Sequence, residues 1–164
     1  MDFDVEAFLD EPKRPASVAT VTAGGRPALA TMWYLFADDR FWLHSPRGSG
    51  PFIRAAANHD PVAVMVETFD PTGRVIQVRS TGPATIQPDD HDRIHQIYDR
   101  YLGLDGLWSD GWRRQAADPT FALWSIEPVS GAAVQFPELR DAGGDFRWSS
   151  SAEFRSALRA ARRR

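Results

Sequence analysis

The segment His44-Ser45-Pro46-Arg47-Gly48-Ser49-Gly50-Pro51-Phe52-Ile53-Arg54 holds the chain's densest set of residues suited to gripping an anion. It follows an aromatic strand, Arg40 to His44, and leads into a short helix expected to end near Asn58. The first turn of a helix carries N–H groups without intrahelical partners, and the helix dipole is positive there. Pro51 suits the first helical position, where a missing N–H costs nothing. Gly48 and Gly50 let a ligand approach the backbone closely. Arg47 and Arg54 add positive charge, and Ser45 and Ser49 add hydroxyls, so the segment could cradle a phosphate. An ordinary strand-to-helix loop uses the same residue types, and the residues by themselves leave both readings open. The ending of a Walker loop and the three-glycine spacing of a Rossmann fingerprint are both absent.

Other chemistries are poorly supplied. The histidines are His44, His59, His91 and His95, and no serine stands in a nucleophile-elbow sequence. His91, His95 and Asp99 fall at four-residue steps on one helix face. They lack the HExxH pattern, and Asp89, Asp90 and Asp92 mark that face as solvated, so no metal site is expected. There is no cysteine, which removes disulfides, thiolate catalysis and zinc-thiolate sites. Trp33 and Trp42 lie on neighbouring strands. Such tryptophans more often pack in a core or an interface than against a cofactor.

The elements that must position the cradle read as hairpins. A short helix over Asp4–Glu11 is stopped by Pro12. Ala16–Thr22 is strand-like, Gly24-Gly25 turns the chain, and Pro27–Phe36 runs as one long strand. Asp38-Asp39 turns it again into the strand that precedes the cradle. Val62–Val66 is a continuous apolar strand, which predicts burial on both faces. Arg74–Gln87 is a long strand in which Gly82-Pro83 suggests a bulge or an edge. Pro88–Leu102 is the clearest helix, with the stripe Ile94, Ile97, Tyr98, Tyr101 and Leu102. A short helix at 111–117, a last strand at 121–126 continued over 131–136, a loop at 141–145 and a final helix at about 150–164 complete the chain. The final helix opens on the capping-box-like Ser150-Ser151-Ala152-Glu153. The expected fold is mainly β with helices, one domain over 1–164, a six-stranded antiparallel barrel with helices at its ends.

The chain has 164 residues and 43% hydrophobic content, enough for a single core. Its net charge is −3. Five arginines and one glutamate between Glu153 and Arg164 make that tail +4, so the remainder is −7. An acidic body argues against nucleic acid as the main partner, and the basic tail reads as a solvated helix end. No run approaches membrane-spanning length and the acidic N-terminus is unlike a signal peptide, so a cytoplasmic protein without membrane contact is expected.

With its elements in this order, the chain resembles the pyridoxamine-phosphate-oxidase-like split β-barrel superfamily over about residues 7 to 136. The resemblance rests on an ordered set of pieces. Phe8-Leu9 precedes Ala16-Ser17-Val18-Ala19-Thr20-Val21, and Gly25-Arg26-Pro27 precedes Met32-Trp33-Tyr34. Leu43-His44-Ser45 precedes Arg47-Gly48-Ser49. Asn58-His59-Asp60-Pro61 leads into Val62-Ala63-Val64, and Gly82-Pro83-Ala84-Thr85-Ile86 precedes the helix with Arg100-Tyr101-Leu102-Gly103.

The resemblance implies a homodimeric split β-barrel with a flavin at the subunit interface. It implies an oxidoreductase acting on a small molecule by hydride transfer, in which the cofactor carries the redox chemistry. FMN is the first expectation and the deazaflavin F420 the alternative; a non-catalytic flavin or apolar-ligand binder is a further alternative. Carried over by position, Ser45, Arg47, Ser49 and Gly50 would face the phosphate. Met32, Trp33, Tyr34 and His44 would face the ring, and Arg54 is a weaker candidate. Tyr34, His44 or water could supply a proton, without a ranking. Many members carry lysine at or next to the position of Pro51 and arginine near that of Trp124. The arginine-histidine-arginine pattern of the vitamin B6 enzyme is also missing after Phe136, so the chain reads as a relative of that enzyme.

Overall fold

The computed structural model describes residues 4–11, 13–48, 50–69, 75–136 and 146–161. Asp4 caps helix α1 (Val5–Asp10) by accepting the Ala7 N–H. Strands β1 (Ala16–Val21) and β2 (Pro27–Met32) form an antiparallel hairpin. Gly25 takes φ of 77° in its turn, a conformation that costs glycine little. The next turn places Asp38 and Asp39 at φ of 53° and 58°, a left-handed pair that short polar side chains tolerate. It joins β3 (Leu35–Ala37) to β4 (Arg40–Pro46).

The single strand expected over Pro27–Phe36 is therefore two. The break falls at Trp33–Tyr34, because Tyr34 is claimed from outside the sheet. Its N–H donates to the Tyr101 hydroxyl at 3.1 Å, and its own hydroxyl donates to the Leu9 carbonyl at 2.8 Å. With its N–H committed to the Tyr101 side chain, this residue cannot donate to a ladder.

Helix α2 (Pro51–Asn58) leads into β5 (Pro61–Phe69), which pairs along its length with β6 (Val75–Ile86). Helices α3 (His91–Leu102) and α4 (Asp110–Ala116) precede β7 (Phe121–Ile126) and β8 (Ser130–Phe136). A short β9 (Phe146–Trp148) then leads into α5 (Ser151–Ala161). The sheet is antiparallel and open, in the order β2-β1-β5-β6-β7-β4-β3, with β8 paired to β6 and β9 paired to β8. Among the described residues nine strands replace the six expected. Three come from features that periodicity does not signal: the break at Trp33–Tyr34, the separate pairing of β8, and the three-residue β9. The expected loop at 141–145 lies outside the described residues.

Gly82-Pro83 is neither a bulge nor an edge. It lies where β6 passes from pairing with β5 and β8 to pairing with β7. A Cβ on Gly82 would stand 1.7 Å from the Glu127 carbonyl oxygen, so only glycine lets the two backbones approach here. Burial of β5 also differs from expectation. Val62, Val64 and Val66 are buried, whereas Ala63 and Met65 are partly exposed on the outer face. Apolar residues on the outer face made an alternating strand look continuous.

Val18, Val64, Phe41, Trp124 and Leu43 anchor the main core, closed by Leu9 of α1, Phe52 of α2 and Phe154 of α5. A second cluster lies between the sheet and helices α3 and α4, around Ile94, Ile97, Tyr98, Trp108 and Leu123. Among the described residues, no helix is long and apolar enough to cross a membrane.

Candidate functional site

Strand β4 alternates Phe41 and Leu43 into the core, which turns Trp42 and His44 toward the second cluster. There β4 ends beside the start of α2 and under α3 and α4. The four elements and β2 enclose a cleft of about 680 Å³. Ala30, Thr31, Met32 and Trp33 line it from β2 and the residue that follows, and Phe52 and Ile53 line it from α2. His44, Ser45, Tyr98, Trp112, Gln115, Phe121, Gly48 and Gly50 also line it.

The ring-bearing wall is tightly cross-braced. Trp33 stacks on Tyr101, with centroids 4.8 Å apart and planes 3° apart, and meets Trp112 at 4.9 Å. Phe121 lies 5.2 Å from the His44 ring. Such contacts fix aromatic faces at the cost of few side-chain torsions. Gln115 Nε2 donates to the Tyr98 hydroxyl at 3.0 Å, and that hydroxyl lies 3.2 Å from His44 Nδ1. Burial lowers the His44 pKa to about 4. Arg47 adds to that effect, while Asp89 and Asp118 oppose it. His44 is therefore a neutral imidazole at pH 7. Burial also raises the Tyr98 pKa, against the Gln115 hydrogen bond.

The other end of the cleft is polar. Gly50 is the N-cap of α2 and provides no side-chain cap, Pro51 follows it, and the first turn has no acidic residue. The amides of Phe52 and Ile53 thus start a helix with no partner one turn earlier. Ser45 Oγ accepts the Trp124 indole N–H at 3.1 Å and keeps its own proton to donate. A Cβ at Gly48 or Gly50 would meet nothing within 4 Å. No steric need requires glycine at either position.

Of the residues singled out in the sequence, Met32, Trp33, His44, Ser45 and Gly50 line this cleft together. Tyr34 is elsewhere: it is fully buried in the main core with its hydroxyl on Leu9. Arg47 turns away from the cleft and pairs with Asp89 at 3.1 Å, while its Nε donates to the Pro119 carbonyl at 3.2 Å. Arg54 bonds the Val21 carbonyl and pairs with Asp60 at 3.6 Å. Ser49 lies outside the described residues. Tyr98 and Gln115 were not singled out. Tyr98 reads as one more apolar position of the α3 stripe, and nothing local marks Gln115.

A model of the pyridoxamine 5'-phosphate oxidase family matches residues 1–135. The chain belongs to that family. Solved structures with the fold include the conserved hypothetical protein Rv2991 from Mycobacterium tuberculosis. It is 17% identical, with 93% of this chain and 87% of that chain covered, and has a TM-score of 0.62. The heme storage protein HutZ from Vibrio cholerae is 17% identical, covering 76% of this chain and 87% of its own, with a TM-score of 0.58. An FAD and heme binding protein from Mycobacterium smegmatis is 20% identical, covering 74% and 63%, with a TM-score of 0.55. At these identities the likeness is one of fold. No curated protein matches the sequence significantly. In this pyridoxamine 5'-phosphate oxidase family member, the cleft described above is the concave site where an aromatic wall meets a helix N-terminus.

Proposed function

We propose that this cleft binds a flavin, FMN by preference, and that the protein is an oxidoreductase acting on a small apolar molecule. The observation that carries the reading is the continuity of one cleft. It runs from Trp33 and Trp112, with Tyr101 stacked on Trp33, to the start of α2, which has no side-chain cap among the described residues. A planar ring suits the first end, and a monophosphate suits the second. Met32, Trp33 and His44 would hold the ring; Ser45, Gly50 and the first amides of α2 would hold the phosphate. When bound, a flavin supplies hydride acceptance and donation. The chain's own part is to orient the ring, exclude water with apolar side chains, and present the neutral His44 imidazole.

The cations favour FMN over F420. The acidic tail of F420 needs a free basic groove beside the cradle. Arg47 and Arg54 are engaged by Asp89 and Asp60, and Arg79 lies in a separate groove on the outer face of the sheet. That groove, about 690 Å³, is floored by the small side chains of Ser17, Ala19, Ala63 and Ala132 and edged by Leu29, which is 75% exposed. It suits a second copy of the chain, and the same proposal takes the protein as a homodimer, to be checked by light scattering on the eluted peak.

A second reading, a non-catalytic binder of a planar ligand such as heme, is favoured by one observation. The cleft pairs a neutral histidine with a phosphate end whose neighbouring arginines are already engaged. The structurally similar HutZ and the Mycobacterium smegmatis protein carry heme in their names. The deciding experiment is a fluorescence titration of dialysed protein with FMN and, separately, with F420 and with heme. Saturation by FMN alone supports the flavin reading. Saturation by heme alone, or by none, overturns it.

A further inference from the structure

The Gln115–Tyr98–His44 chain has a direction, and the direction decides what the cleft can recognise. Tyr98 is 2% exposed, so its hydroxyl proton must find an acceptor inside the protein. Gln115 Nε2 donates to Tyr98 Oη, which leaves that proton pointing toward His44 Nδ1 at 3.2 Å. An imidazole that accepts at Nδ1 and is neutral carries its proton on Nε2. Among the described residues, His44 makes no other side-chain hydrogen bond, so Nε2–H is left for a ligand in the cleft that His44 lines.

We infer that Tyr98 and Gln115 are positioning residues that hold His44 as an Nε2–H donor, so that the cleft selects ligands presenting an acceptor atom at that point. The acceptor is a carbonyl oxygen or an unprotonated ring nitrogen of a planar heteroaromatic. This rests on the proposal that the cleft is the ligand site. Neutrality of His44 agrees with it. Burial disfavours the charged ring and Arg47 adds to that, while Asp89 and Asp118 are the charged groups that oppose it. The ring is also clamped on two sides, by Phe121 at 5.2 Å and Tyr98 at 5.8 Å, so the donor direction is fixed. The same tautomer separates the two readings of the cleft. An Nε2 that carries a proton cannot ligate an iron through that atom, whereas a bare Nε2 could.

The test is long-range nitrogen–proton correlation NMR of the imidazoles in the ligand-free full chain at pH 7, with His44 assigned from its loss in His44→Phe. The expected spectrum has His44 Nδ1 bare and Nε2 protonated. In Tyr98→Phe and Gln115→Leu, that signature shifts toward a tautomer mixture. FMN titration of Tyr98→Phe should then show roughly fivefold weaker binding, the worth of one neutral hydrogen bond. Riboflavin should weaken equally, because the effect is at the ring end. If Gln115 presents its oxygen to Tyr98, the chain runs the other way, and the wild-type spectrum shows Nδ1–H and bare Nε2. That spectrum overturns the inference whatever FMN does. An unchanged tautomer in both variants overturns the positioning role. If Tyr98→Phe fails to fold, the wild-type spectrum and Gln115→Leu still decide. Absence of FMN binding to the wild type sinks the flavin reading and leaves the tautomer result standing by itself.

Discussion

Two tyrosine-centred networks meet Trp33, which stacks on Tyr101 of one and meets Tyr98 of the other edge-on, and they end differently. At the α1–α3 junction, Tyr34 donates to the Leu9 carbonyl, and Arg100 donates to the carbonyls of Leu9, Asp10 and Glu11 while lying over both Tyr34 and Tyr101. At the cleft, Tyr98 links Gln115 to His44, which lines the open space. The first network closes on main chain. The fold engages every polar group of it except Arg100 Nε, which is buried without a hydrogen-bond partner among the described residues, and it ties the end of α1 to α3. The second closes on a side chain that still has a polar atom to offer. Two tyrosine-centred networks thus differ in what they leave over: the first ends on main chain, the second on a side chain that lines a cleft.

The largest expected effect is on the closed network. Arg100 is 5% exposed at its side chain, and replacing it with Met takes the guanidinium from three carbonyls at the end of α1, of which Leu9 keeps the Tyr34 hydroxyl while Asp10 and Glu11 lose their donor. The loss should be on the order of 3 kcal/mol in urea unfolding, with FMN affinity of the folded protein unchanged. A stability-neutral Arg100→Met would erase the contrast between the two regions.

The pH response belongs to the open network. His44 titrates at about 4 when folded, against an ordinary 6.5. Between those values the unfolded chain takes up a proton that the folded one refuses. The contribution to stability is therefore complete above pH 6.5, falls as pH drops toward about 4, and declines no further below that. Unfolding midpoints at pH 7 and pH 5 should drop more in the wild type than in His44→Phe; equal drops would show that His44 is not held neutral.

Arg47→Ala should weaken FMN by about 1.5 kcal/mol, the low end for a hydrogen bond to a charged group, because Arg47 must first leave Asp89. Riboflavin, without a phosphate, should be nearly unaffected; equal losses would remove Arg47 from the phosphate end. Tyr34→Phe should cost about 1 kcal/mol in stability, since Arg100 still serves the Leu9 carbonyl, and nothing in FMN affinity. A drop in affinity would move Tyr34 back to the ring side, where the family resemblance put it. Smallest of all, Asp89→Asn frees Arg47 from an exposed pair and should tighten FMN by less than about 1 kcal/mol, more visibly at low salt.

Local chemistry made much of the fold legible. Gly24-Gly25 and Asp38-Asp39 are turns because those residues tolerate left-handed backbone, and both hairpins form where they stand. The α3 stripe announces a helix, and Asp90 caps it by accepting the Arg93 N–H. At the last helix Ser150 caps the Glu153 N–H as expected, although Glu153 reaches back to Ser149 and not to Ser150. The segment from His44 to Gly50 stood out because serine, glycine and proline before a helix have a physical use that does not depend on the rest of the chain.

Partner choice was decided by tertiary structure. Nothing near Tyr34 says that Tyr101, 67 residues later, will take its N–H and break a strand. Arg47 looks like a free cation until β4 is laid beside the start of α3 and Asp89 neutralises it. Tyr98 is an apolar stripe residue by spacing, and becomes a link in a polar chain only because α4 brings Gln115 to its hydroxyl. Periodicity and turn chemistry report what a residue does with its near neighbours in sequence. Whether a hydroxyl or a guanidinium is left over for a ligand depends on groups that only the folded chain brings within hydrogen-bond reach.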